Sequence, residues 1–254
     1  MKGFYAFLKK ELLEQLRTFK WLIILSVFFL FGMMSPILAK LLPDILSGMK
    51  VEGMVITIPE PTVMDAYAQF FKNFTQMGIL VLILVFGGTL SNELSRGTLV
   101  NILAKGLPRA TVILSKYIAG ILLWTVGYLL AVLTTYGYTE YLYKETNVSN
   151  LFFSLFCLWI FGLFVLALIF LSSTIAPGNF GGLILTAIIL ATMLIMDIIP
   201  NTHRFNPIAL ASDNMTLLTG TKDSKDLIAA LVITVIFSIG CILVAVRLFN
   251  KKKL

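Results

Sequence analysis

Charge is scarce in this sequence: Asp, Glu, Lys and Arg make up 13% of its 254 residues, while 58% are hydrophobic and the mean hydropathy is +0.94. A soluble domain carries about 25% charged residues, so a soluble enzyme or binding module is excluded and an integral membrane protein follows. Cysteine is nearly missing. The two present, Cys157 and Cys241, sit in separate apolar runs, where no disulfide, redox or metal pattern follows. No G-x-x-x-x-G-K-[ST] phosphate loop occurs, so the chain cannot hold ATP in that manner and an ATPase would have to be a second polypeptide. The charged residues of the apolar runs, Lys40, Lys72, Lys116, Asp197 and Arg247, all fall near the ends of those runs. An intramembrane hydrolase or an ion-coupled carrier needs ionisable groups at depth and is disfavoured. Asp197 reads as a solvated or capping group, and His203 with Arg204 as a surface pair in an outer loop. The net charge of +7 lies mostly at the ends of apolar runs and in the tails, where membrane orientation accounts for it without nucleic acid.

What is present is long apolar sequence. A bilayer core of about 30 Å needs about 20 apolar residues per helix. The pattern predicts an all-α membrane protein, one transmembrane domain over residues 1–254 with spans at 21–41, 70–90, 115–139, 151–175, 180–199 and 227–249. An amphipathic helix at 3–19 precedes them, with Phe4, Leu8, Leu12, Leu16 and Phe19 on one face, joined by Tyr5 and Leu13, and Lys9, Lys10, Glu14 and Arg17 on the other. It reads as an interfacial helix that is retained, not cleaved. Pro36 closes the first span, with Lys40 extending its charge to the headgroups, and residues 42–61, with Pro43, Pro59 and Pro61, read as an irregular outer loop. Thr62 and Asp65 form a capping pair for a helix running in one piece into the second span, with Phe70, Phe71 and Phe74 at the outer interface.

Tyr128, Tyr136, Tyr138, Tyr141 and Tyr143 are expected as an interfacial girdle on the third span. Ser149 or Asn150 caps the fourth, and the tight turn Pro177, Gly178, Asn179 makes the fourth and fifth antiparallel neighbours. Residues 200–226 return to the outer face with a short apolar stripe, Ile208, Leu210, Leu217 and Leu218, and the sixth span ends in Lys251, Lys252 and Lys253. With this layout thirteen basic residues face three acidic ones inside, and seven face ten outside. Both termini are therefore expected in the cytoplasm.

Between the second and third spans, residues 92–116 read NELSRGTLVNILAKGLPRATVILSK. Leu99, Ile102 and Leu103 share a helical face, Gly106 stops that helix, and Pro108 suits the start of the next, giving a helical elbow at the membrane surface. Glu93 lies within one turn of Arg96, and an internal ion pair between them would fix the elbow. Gly87 and Gly88 just before it mark a close helix contact or a hinge.

Glu93, Arg96, Gly97, Thr98, Leu99, Leu103, Pro108, Arg109 and Lys116 resemble the E-x-x-R-G-T-L … L-x-x-x-x-P-R … K pattern of permeases of the type-2 ABC exporter class. The resemblance implies a permease subunit that carries no catalytic, cofactor or metal site, with ATP and Mg held by separate ABC ATPase subunits. It implies a coupling helix in the 92–108 loop, so that Glu93, Arg96, Gly97, Leu99, Ile102, Leu103, Pro108 and Arg109 become candidate ATPase-coupling residues. It also implies an elbow helix at the N-terminus, pairing with a second copy or a similar permease, and export of an amphiphile (peptide antibiotic, lipid or drug-like molecule) across a bacterial or archaeal cell membrane. The other reading is a membrane immunity or scaffold protein that sequesters a toxic peptide or lipid without a transport cycle.

Overall fold

In the computed structural model of the chain, residues 2–48, 60–104, 106–143, 148–176, 178 and 180–252 are described, and every regular element among them is helical. Most of the expected loop at 49–59, Lys105, Pro177, Asn179 and Lys253 lie outside the described residues, as does the side chain of Ile102. Among the described residues five helical stretches are long and apolar enough to cross a membrane: Lys20–Ile45, Val63–Ser95, Arg109–Leu142, Leu151–Ile175 and Ser224–Lys251. A sixth apolar helix, Gly181–Asp197, has 17 residues, about 25 Å at 1.5 Å per residue.

Helix α1, Lys2–Arg17, is followed by α2, Lys20–Gly48. Pro36 and Pro43 sit inside α2, so residues 42–48 are helical and the first apolar run does not end at Pro36 as the sequence suggests. Proline at position 36 removes the donor that the carbonyl of Gly32 would use. The Thr135 hydroxyl donates to that carbonyl at 3.0 Å, and the helix continues. A Cβ on Gly32 would lie 2.7 Å from the Ala131 carbonyl, so α2 touches its neighbour there through bare backbone.

The second apolar stretch is not regular throughout. Asp65 Oδ2 accepts from the Thr62 backbone N–H at 2.8 Å, the expected capping pair, and opens α3, Val63–Asn73. A π-helical turn, Phe74–Gly78, joins it to α4, Ile79–Phe86, so Val63–Ser95 runs through as one helical stretch, as expected, with a π-bulge inside it. Phe70, Phe71 and Phe74, expected at the outer interface, face into the bundle. All three are buried, and Phe70 and Phe74 pack with Phe28 and Tyr128. Phenylalanine has no polar tip to keep wet, so bundle packing claims it where tyrosine would be held at headgroup depth.

The elbow follows as α5, Ser91–Ser95, and α6, Val100–Ala104; α7, Arg109–Leu142, then crosses the bundle alongside α2. Tyr136 and Tyr141 are exposed, as a girdle requires, but Tyr128 is not part of it. Its ring stacks on Trp124 at 5.2 Å and its hydroxyl donates to the Leu155 carbonyl at 2.8 Å. Lys40, exposed, donates to the carbonyl of Leu142, the last residue of α7, at 2.9 Å, and so caps that helix C-terminus.

Helix α8, Leu151–Ile175, is the most buried of the apolar helices, and its bounds are those read from the sequence. Asn150 precedes it in the left-handed region (φ 56°) but makes no side-chain cap, donating to the Leu217 carbonyl instead. Helix α9, Gly181–Asp197, packs back against α8. Short helices α10, Pro200–His203, α11, Ala209–Ser212, and α12, Asn214–Leu218, then fold into the end of the bundle. The stripe Ile208, Leu210, Leu217 and Leu218 is buried there, as its apolar character requires. Helix α13, Ser224–Lys251, runs beside α8 to the end of the bundle that also holds α1.

Candidate functional site

The site is built where the second apolar stretch ends. Gly87 and Gly182 let three helices meet: a Cβ on Gly182 would sit 2.8 Å from the Gly87 carbonyl, and the Ser173 hydroxyl donates to that same carbonyl at 3.2 Å. Of the two readings of Gly87, close contact is the one the packing supports. The backbone turns after α4 and re-enters helix as α5, which carries Glu93.

Gly97, at φ +66°, takes a left-handed turn that a side chain disfavours, and the Thr98 amide bonds back to the Glu93 carbonyl at 3.2 Å. Helix α6 then ends at Gly106, φ +86°, and Pro108 stands at the N-cap of α7. The elbow has two sides. Leu99 is 1% exposed and belongs to the hydrophobic core, with Leu103 packed against it. Arg96, Thr98, Val100 and Ala104 are exposed. The apolar stripe read from the sequence is therefore largely covered by the chain itself, and the surface left for a partner is the opposite one.

Glu93 does not pair with Arg96. Its Oε1 lies 2.9 Å from Lys116 Nζ on α7, and the same Nζ is 2.8 Å from Glu11 Oε2 on α1. Lys10 adds contacts of 2.9 Å to Glu11, 2.5 Å to Glu14 and 3.5 Å to Glu93. The Lys116 side chain is fully buried and that of Glu11 is 3% exposed. Burial works against the charge of Lys10, but bonds to Glu14 and Glu11 and the charges of Glu11 and Glu93 outweigh it and hold its pKa above the ordinary lysine value. This knot ties α1, the elbow and α7 into one unit. Its sequence signal is Lys116, apolar-flanked on both sides; Glu11 gives none, because the face of α1 that docks on the bundle, Phe7, Glu11 and Gln15, is not the apolar face of that helix. Tyr5, Leu13, Leu16 and Phe19 are exposed.

Carboxylate oxygens of Glu11, Glu14 and Glu93 lie within 4.8 Å of one another, but Lys10 and Lys116 already neutralise them, and a metal ion would have to displace a lysine. Beside the knot lies a polar cavity of about 610 Å³ lined in part by Lys10, Glu14, Lys20, Asn92, Glu93 and Arg96. Asn92 Oδ1 and Glu93 Oε2 are buried and have no donor among the described residues.

Arg109 serves another purpose. Its guanidinium donates to the carbonyls of Phe249, Asn250 and Lys252 at 2.9, 3.0 and 2.5 Å, closing the C-terminus of α13. Lys252 in turn donates to the Thr174 carbonyl at the end of α8, at 2.8 Å. Cations on the last carbonyls of two helices satisfy orphan acceptors and oppose the helix dipoles.

At the far end of the bundle a second cluster appears that the sequence did not reveal. His203 is paired with two carboxylates and not with Arg204: Nδ1 is 2.9 Å from Asp197 Oδ1 and Nε2 is 2.8 Å from Asp213 Oδ2. Lys222 Nζ is 2.6 Å from the same Asp213 oxygen and 3.3 Å from Nε2. Only the imidazolium has an N–H on both nitrogens. Burial pulls the His203 pKa down, but the hydrogen bonds and charges of Asp213 and Asp197 outweigh it and hold the value above the ordinary 6.5. A raised folded-state pKa gives stability that is complete below the unfolded value and lost as pH rises through the folded one. The melting temperature of the purified chain should therefore fall as pH rises from about 6.5, and His203→Gln should flatten that fall. Identical pH profiles for the two proteins would show that the clasp contributes nothing.

Residues 5–254 match the family described as ABC-2 family transporter protein. The chain is also similar to YxlG of Bacillus subtilis (strain 168), an uncharacterized transmembrane protein, with 26% identity over 168 residues. That stretch is 63% of this chain and 64% of the relative, so less than two thirds of the relative's length is spanned.

Proposed function

The chain belongs to the ABC-2 family of transporter membrane proteins, and on that premise we propose that it forms, with a second copy or a similar permease, the path of an ATP-driven exporter of amphiphiles. It is a multi-span permease, and ATP hydrolysis is not its own chemistry. In this reading Gly181–Asp197 is a sixth crossing, so that residues 1–254 form one transmembrane domain with both termini in the cytoplasm of a bacterial or archaeal cell. Helix α9, the fifth apolar helix in chain order, is short, and the segment that follows it buries α11 and α12 in the bundle. Helix α1 is the interfacial elbow helix, its exposed Tyr5, Leu13, Leu16 and Phe19 lying in the headgroup boundary.

The observation that carries the reading is the buried Glu11–Lys116–Glu93 knot. Through it the 92–108 loop is fixed to both α1 and α7, so a push on the loop moves two helices. Within the loop, Leu99 and Leu103 anchor α6, Gly97 and Pro108 set its two bends, and Arg96, Val100 and Ala104 face the partner. Ile102 is assigned to coupling with the rest of α6, Glu93 links the loop to the bundle, and Arg109 carries movement to α13. The unmet acceptors Asn92 Oδ1 and Glu93 Oε2, next to an open polar cavity, suit donors supplied by an ABC ATPase subunit.

Affinity purification of the chain from its native membrane should bring down an ABC ATPase in near-equal amount. Recovery of the chain without any ATPase, under conditions that preserve other membrane complexes, would leave the immunity or scaffold role as the better account.

A further inference from the structure

Between α8, α9 and α13 lies a cavity of about 690 Å³, within the range of small-ligand sites. Phe164, Leu168, Met193, Met196, Phe237 and Cys241 are among its walls, and Thr202, Phe205, Asn206 and Pro207 roof it. Its polar groups are already occupied. Asn206 Nδ2 donates to the Met193 carbonyl at 2.8 Å, Asn206 Oδ1 accepts from the Ile208 amide at 3.1 Å, and the Thr202 hydroxyl donates to the Ile199 carbonyl at 2.9 Å. The cavity therefore offers a polar group nothing to bind, and an apolar void of this kind does not hold water. Methionine walls adapt to a flexible apolar guest. Gly240 lines it with open space where a side chain would go: no atom lies within 4 Å of a Cβ built there. Arg204, between the roof residues Thr202 and Phe205 in sequence but not on the cavity wall, is exposed and has no ion-pair partner among the described residues.

We propose that this cavity holds the alkyl tail of an anionic membrane lipid, entering sideways between α9 and α13, with its headgroup at Arg204. The inference rests on the reading that these helices cross the bilayer. An apolar guest fits because the wall is apolar and, in that reading, faces hydrocarbon, and an anionic head fits because an exposed cation stands next in sequence to the roof residue Phe205.

The test is photolabelling in phosphatidylcholine vesicles containing a trace of phosphatidylglycerol with a diazirine near its tail end. Cross-links should concentrate on α9 and α13 residues of the cavity. They should fall at least fivefold in Gly240→Phe, which fills the space from the wall, and severalfold in Arg204→Glu, which lies outside the cavity lining and leaves the wall intact. A phosphatidylcholine probe of the same tail should label the cavity severalfold less. Labelling spread evenly over the outward-facing apolar residues, or unchanged in both variants, would overturn the proposal. So would oxidative cross-linking of Cys241 to Cys241 of a second copy, which would show the cavity mouth covered by protein. Because the assay needs no ATPase, its outcome is independent of whether an ATPase co-purifies.

Discussion

Replacing Lys116 with methionine is expected to remove most folded protein from the membrane, a larger loss than any other single substitution in the knot should cause. Methionine nearly preserves the volume and the apolar stem, so packing around α7 survives. What is lost is the ammonium between Glu11 and Glu93, 2.8 and 2.9 Å away, at a side chain with no exposure. Removing one member of a buried ion pair strands the other's charge and costs about 3–5 kcal/mol. Here two carboxylates share the loss, with Lys10, 41% exposed, as the nearest remaining cation. Adding Glu11→Gln to Lys116→Met should recover part of the stability, since one stranded charge is then gone, and the non-additivity measures the coupling. Glu93→Gln alone should be milder, because Lys116 keeps Glu11. The readout is the melting temperature and yield of detergent-purified protein. If Lys116→Met matches the parent in both, the knot is hydrated and carries little energy.

The spans are legible in the sequence because twenty apolar residues in a row have few other uses; Leu151–Ile175 matches to the residue. Local signals are legible too: Thr62 with Asp65, Gly106 at positive φ, and Pro108 before α7 all act within four residues of themselves. What escapes is every contact whose partner lies far along the chain. Glu11 meets Lys116 across 105 residues, and nothing in the spacing of α1 marks its polar Glu11 and Gln15 as the docked face. His203 reads as a partner of Arg204 because they are adjacent in sequence, whereas Asp213 reaches the ring only after α11 folds back. Residue type places Tyr128 and the three phenylalanines at an interface, but tertiary packing around Trp124 and Phe28 turns them into the bundle. Pro36 reads as a helix end because the hydroxyl that rescues its helix, on Thr135, comes from another helix.

Val100 and Ala104 stand four residues apart on α6, exposed, while Leu99 and Leu103 hold the other side to the core. An exposed apolar pair on a rigidly anchored five-residue helix has a use if a partner covers it. Burying a valine is worth about 1.5–3 kcal/mol, and a carboxylate placed in the same contact adds a desolvation cost. With about 1.4 kcal/mol for each factor of ten, Val100→Asp with Ala104→Asp should weaken the contact by tenfold or more. Neither change touches the knot or the core, so insertion and melting temperature should stay at parental values. Leu99→Asp would not give so clean a result, since its side chain is part of the fold. The decisive measurement is ATP turnover by the co-purified ATPase in proteoliposomes with the parent chain and with the Val100→Asp, Ala104→Asp chain. Coupling through this face predicts that the parent raises turnover severalfold over the ATPase alone and that the double variant, folded and inserted, does not. Equal stimulation by both chains, with the ATPase still bound, would contradict it.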